Sequence, residues 1–144
     1  MSRMVDIGGK PHQDRRAKAR GSIKLNPETI EKVKKGEIPK GDVLTVAKTA
    51  GVMAVKKTPE TIPLTHPIPI TSVEINFEIE EERIISEAEV KSEGQTGVEM
   101  EALAGVTNSL LTIWDMVKGF EKDEDGQYPT TRINDIEVIE KVKK

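Results

Sequence analysis

The sequence has no cysteine, one tryptophan, one tyrosine and two phenylalanines among 144 residues. Without thiols there is no disulfide framework, no thiolate nucleophile and no thiolate metal site, and a reducing compartment is permitted. With 3% aromatic against 35% hydrophobic residues, a core has to be assembled from Ile, Val, Leu and Ala. No stretch approaches the roughly eighteen uncharged apolar residues of a membrane span, and the start, MSRMVDIGGK, lacks an apolar segment of signal-peptide length. A cytoplasmic, non-membrane protein is the expectation. The two histidines, His12 and His66, form no paired-histidine motif, which disfavours a zinc site. EF-hand spacing, a G-x-x-x-x-G-K-[ST] phosphate loop and a serine-centred nucleophile elbow are also missing.

What is present is charge, 33% of residues, unevenly placed. Residues 1–40 hold eleven Lys or Arg against five Asp or Glu, whereas residues 41–144 hold eleven against twenty. The first third can attract an anion. A solvated arm, or one paired with an acidic neighbour, accounts for the same composition. Basic residues interleaved with aromatic ones are lacking, so nucleic acid is not the expected partner.

The length suits one domain. Residues 1–17, with Gly8-Gly9 and Pro11, read as an irregular, flexible arm, leaving 18–144 as the single folded domain. KARGSIKL at 18–25 suggests a short strand. Asn26, Pro27 and Gly36 mark the N-cap, first residue and stop of a helix. A second helix begins after Asp42, with Val43, Val46, Ala47, Ala50 and Ala54 near helical spacing and enough small residues for close backbone approach. Pro63, Pro67 and Pro69 place His66 on a stiff loop.

ITSVEINFEI at 70–79 alternates cleanly, and with 84–91 it forms an expected antiparallel hairpin. Thr96 and Glu99 have the spacing of a capping box. A long helix follows from about 98 to 120, and 130–140 returns as an edge strand. The order implies an α+β fold with a mainly antiparallel sheet backed by helices.

The candidate chemistry lies in LLTIWDMVKGF, residues 110–120. At roughly 100° per residue, Lys118 falls on the edge of the long helix's apolar arc and Asp115 just beyond it. Spaced i,i+3, they can meet. A boundary ion pair with the lysine stem lying over apolar surface explains the pattern. So does a proton-handling pair, in which burial lowers the lysine pKa and the carboxylate raises it. Glu101, Asn108 and Asp115 share a polar stripe about 21 Å long, which suits one large polar ligand or a subunit seam. His66 fits either a structural role or acid–base work. Lys40-Gly41-Asp42 opens a helix that can hold an anion.

Three blocks resemble the cyclic pyranopterin monophosphate synthases, the C proteins of molybdenum cofactor biosynthesis. They are MVDI at 4–7, KGDVLTVAKTAGVMAVKKTPETIPLTHPIPITSVEINFEI at 40–79, and GQTGVEMEALAGVTNSLLTIWDMVKGFEKD at 94–123. The resemblance implies a phosphorus-oxygen lyase that converts 3',8-cyclo-7,8-dihydroguanosine 5'-triphosphate into cyclic pyranopterin monophosphate and pyrophosphate. It implies a ferredoxin-like fold with an additional helix, assembled as a homo-hexamer, a trimer of dimers with active sites at dimer interfaces. Asp115 and Lys118 fall on the family's catalytic positions. Lys40, His66, Glu99, Met100 and Glu101 match supporting positions, and Arg15, or its neighbour Arg16, matches a basic one. Thr65 stands where the family often has cysteine. No tightly bound cofactor or chain-held metal is implied, although Mg²⁺ can accompany the triphosphate. A non-catalytic nucleotide-binding or assembly protein, and nucleic-acid binding through residues 1–40, are the competing accounts.

Overall fold

The computed structural model describes residues 1–144. Its order is β1 (Gln13–Lys24), α1 (Pro27–Lys35), α2 (Val43–Lys56), α3 (Thr58–Thr61), β2 (Ile70–Ile79), β3 (Arg83–Gly94), α4 (Glu99–Glu121) and β4 (Arg132–Lys143). The four strands lie in the order β2-β3-β1-β4, and every adjacent pair is antiparallel. This is the split β-α-β arrangement of a ferredoxin-like fold, with α1 and the short α3 added.

The period-two pattern fixes which face of the sheet is covered. On β1, Arg15, Ala17, Ala19, Gly21 and Ile23 are buried, while Asp14, Arg16, Lys18 and Arg20 are more open. The helices pack on the first face. The other carries an ionic lattice in which Arg16 pairs with Glu89 and Glu140, and Lys18 with Glu87 and Glu89. The core is aliphatic, including Ile23, Ile75, Ile84, Val90, Val106, Leu110 and Ile113, and no aromatic ring is fully buried.

The small residues of α2 do bring two backbones together. A Cβ on Gly51 would lie 2.4 Å from Ile75 Cδ1 and 2.9 Å from the Gly105 carbonyl oxygen, while one on Gly105 would lie 2.9 Å from Val55 Cγ2. This contact locks α2 against α4 and fixes the long helix over the sheet. The buried stripe of α2 is Val43, Ala47, Gly51 and Val55, whereas Val46 is exposed. The apolar spacing therefore identifies the helix but includes a residue outside its packed stripe.

Several boundaries differ from the sequence expectation. β1 begins at Gln13, because Gln13 to Ala17 continue the pairing with Gly94 to Val90. Residues 13–17 of the expected arm are thus in the sheet. The expected capping box does not form: Val98 is the N-cap of α4 and makes no side-chain cap bond, and Glu99 has turned to Lys141 on β4. Asp42 caps α2 as its position indicates, accepting from the Thr45 N–H at 3.1 Å. Gly36 closes α1 with φ 68°, the left-handed conformation expected of a glycine helix stop.

Candidate active site

The last turns of α4 assemble three charged groups. Asp115 and Lys118, one turn apart, meet with Oδ1 and Nζ at 3.0 Å. Lys40 arrives from the turn between α1 and α2, its Nζ 3.3 Å from Asp115 Oδ2 and 3.2 Å from the Asp115 carbonyl oxygen. The carboxylate sits between two ammonium groups in an open depression of about 320 Å³ whose wall includes Met116 and Phe120.

These side chains are open to water, with 59% of Asp115 and 42% of Lys118 exposed. The contest between burial and neighbouring charge is therefore won by charge. The Lys118 hydrogen bond, followed by that of Lys40, lowers the Asp115 pKa below the ordinary carboxylate value. Asp115 in turn raises the Lys118 pKa, first through the hydrogen bond and then through its charge. In the single chain Lys118 is an ammonium, able to donate a proton or stabilise negative charge, beside a carboxylate able to orient it.

The other end of α4 gathers His66, Glu99, Met100 and Glu101 around a cavity of about 410 Å³. His66 comes from the proline-rich loop, as expected. Glu101 is 3% exposed, and its pKa is raised, first by burial and further by the charge of Glu99. Burial also opposes ionisation of Glu99. There, however, Lys141 at 2.6 Å, the residue's own backbone N–H and the charge of Arg15 lower the pKa overall. Two neighbouring carboxyl groups are thus driven apart, one towards holding a proton and the other towards charge.

Arg15 and Arg16 separate by strand parity. Arg15 points to the helix side, is buried, and donates from Nε to the Gly94 carbonyl at 3.0 Å. Arg16 is committed to Glu89 and Glu140 on the opposite face. Of the two, Arg15 adjoins the Glu99 end of α4. It lines a further cavity of about 500 Å³ with Lys10, Lys141 and Lys143.

Sequence reasoning passed over Lys10, Lys141 and Lys143, and also Glu121, which is 2% exposed. No local motif marks them. Lys141 reaches Glu99 through the pairing of β4 with β1, and Glu121 reads as one more residue of a helix end. The expected site residues consequently form two groups at opposite ends of α4. Glu101 and Asp115 are fourteen residues apart on one helix, about 21 Å along its axis.

The MoaC family model matches residues 4–143. A Pyrococcus abyssi protein named "Probable cyclic pyranopterin monophosphate synthase" is 59% identical over 98% of this chain and 89% of its own length. Proteins of the same name from Archaeoglobus fulgidus and Methanosarcina mazei are 59% and 55% identical, covering 98% and 99% of this chain and 90% of each relative. With the match running through both ends of α4 and nearly the whole chain, the protein belongs to the MoaC family.

Proposed function

We infer that the chain is a cyclic pyranopterin monophosphate synthase acting in molybdenum cofactor biosynthesis. It converts the cyclised GTP derivative 3',8-cyclo-7,8-dihydroguanosine 5'-triphosphate into cyclic pyranopterin monophosphate and pyrophosphate. The carrying observation is family membership across residues 4–143, with Lys40, Asp115 and Lys118 joined in one cluster. The chemistry requires a purine to be opened and rebuilt as a pterin. A ribose oxygen then attacks the innermost phosphorus, closes the cyclic phosphate and expels pyrophosphate. Lys118 is assigned acid–base duty and Asp115 orientation or proton transfer. Lys40 holds the carboxylate between two cations.

At the start of α4, Arg15 and Lys141 supply positive charge for the triphosphate, while His66, Glu99, Met100 and Glu101 face the organic part of the substrate. Glu101, whose proton is favoured by burial, is the acid of this group. We assign any participating Mg²⁺ to the triphosphate oxygens. No helix is long and apolar enough to cross a membrane. We assign the enzyme to the cytoplasm, with its nucleotide-derived substrate.

The two groups on α4 are too far apart to act on one reacting centre within a chain. We propose that a dimer brings the start of α4 from one copy to the end of α4 from another, and that three such dimers form a hexamer. Purified protein mixed with the cyclised GTP derivative should release pyrophosphate and cyclic pyranopterin monophosphate. Absence of turnover by the assembled wild-type protein, under conditions where a related synthase works, would defeat the assignment.

A further inference from the structure

We propose that Gln95 is a positioning residue that latches the N-terminal segment across the cavity holding His66 and Glu101, so that this strap completes the substrate pocket. The proposal rests on the synthase reading. Residues 1–12 contain no helix or strand, and only Ile7 among them is not exposed. Even so, the segment has a defined course. Gln95 Nε2, just beyond β3, donates to the carbonyl oxygens of Lys10, Ile7 and Gly8 at 3.0, 3.1 and 3.3 Å. Inside the segment, the Lys10 N–H donates to the Ile7 carbonyl at 3.0 Å, and the Gly8 N–H to Asp6 Oδ1 at 2.8 Å. One amide thus gathers a tight turn that is otherwise supported by its own local bonds.

The position of that turn has a functional consequence. Arg3, Val5, Ile7 and Lys10 form one wall of the cavity containing His66, Glu99 and Glu101. Lys10 also lines the neighbouring cationic cavity with Arg15 and Lys141. Neither Arg3 nor Lys10 is engaged in an ion pair within the chain. Closure of the strap therefore places free positive charge beside the anionic substrate and apolar Val5 and Ile7 over its less polar part. A segment with little burial and one side-chain latch can also open at small cost, which gives substrate a way in.

The replacement Gln95→Met retains approximate length but removes both N–H donors without adding charge. Steady-state turnover of the cyclised GTP derivative should show KM raised tenfold or more and kcat changed by less than threefold. Hydrogen–deuterium exchange should accelerate in the peptide containing residues 4–10, while the urea midpoint of the folded domain stays within error. Gln95→Lys, which restores N–H donors, should recover slow exchange in that peptide. Deletion of residues 2–10, leaving Gln95 intact, should reproduce the KM increase and provides the test if Gln95→Met does not fold. A KM within twofold of wild type in both Gln95→Met and the deletion overturns the proposal, as does unchanged exchange in Gln95→Met. Inactive wild-type protein would instead overturn the enzymatic reading, and the exchange experiment would still decide whether Gln95 is the latch.

Discussion

Replacing Glu121 by alanine should loosen the junction between the start of α1, the end of α4 and the approach to β4. Glu121 ends α4 and is 2% exposed, and its carboxylate accepts from three residues on two other segments, the start of α1 and the approach to β4. The Asn26 N–H at the start of α1 lies 3.1 and 3.3 Å from its two oxygens; the Thr29 hydroxyl donates to one oxygen, and the Thr131 hydroxyl to the other at 2.7 Å. Asn26 makes no side-chain cap bond of its own, so Glu121 supplies negative charge at the α1 N-terminus. Hydrogen bonds to a charged group contribute about 1.5–3 kcal/mol each. Burying the carboxylate costs several kcal/mol in return. The net loss expected for Glu121→Ala is about 2–4 kcal/mol, or roughly 6–16 °C in Tm for a domain of this size. Glu121→Gln retains an acceptor and should lose about half as much. Urea unfolding at fixed protein concentration gives the difference. A loss below about 1 kcal/mol for Glu121→Ala would refute the claim that this carboxylate binds α1, α4 and the approach to β4 together.

The other predictions concern chemistry, pH and packing. Lys118→Ala should reduce kcat at least a hundredfold with an unchanged circular dichroism spectrum, the usual scale for losing a positioned acid or base; pyrophosphate release is the assay. Because folding raises the Glu101 pKa, its favourable contribution exists below the unfolded carboxyl value and is lost as pH rises through the folded value. Glu101→Gln should therefore gain stability relative to wild type between pH 4 and pH 7, measured by urea midpoints at each pH. Gly51→Val should cost about 2–4 kcal/mol and lower Tm, since even its Cβ meets the Gly105 carbonyl oxygen at 2.9 Å. Mixing inactive Lys118→Ala and Glu101→Ala subunits, followed by reassembly, should restore part of the turnover. No recovery in demonstrated mixed oligomers would refute the shared-site arrangement.

The fold was legible where local signals and tertiary packing agree. The alternation from Ile70 to Ile79 predicts β2 at its observed bounds, and Asp42 marks the start of α2 through the cap it makes. Thr96 and Glu99 show how such a signal fails. Their spacing fits a capping box, but Glu99 has a stronger partner in Lys141, more than forty residues later in sequence and brought alongside by β4. The start of β1 was hidden for a related reason. Gln13 to Arg16 are polar, and their strand conformation is imposed by pairing with β3 rather than by apolar alternation.

At the candidate site, Asp115 and Lys118 could be paired from their i,i+3 spacing because a helix converts that interval into proximity. Lys40 needs the turn between α1 and α2 to reach them, and Arg15 can be distinguished from Arg16 only once the covered face of β1 is known. The same helix that makes the first pair readable holds Glu101 about 21 Å from Asp115. A helix of this length cannot fold back to close the gap. If those groups cooperate on one reacting centre, as proposed, a second copy of α4 has to supply one of them, and complementation between differently disabled subunits is the outcome expected from that rigidity.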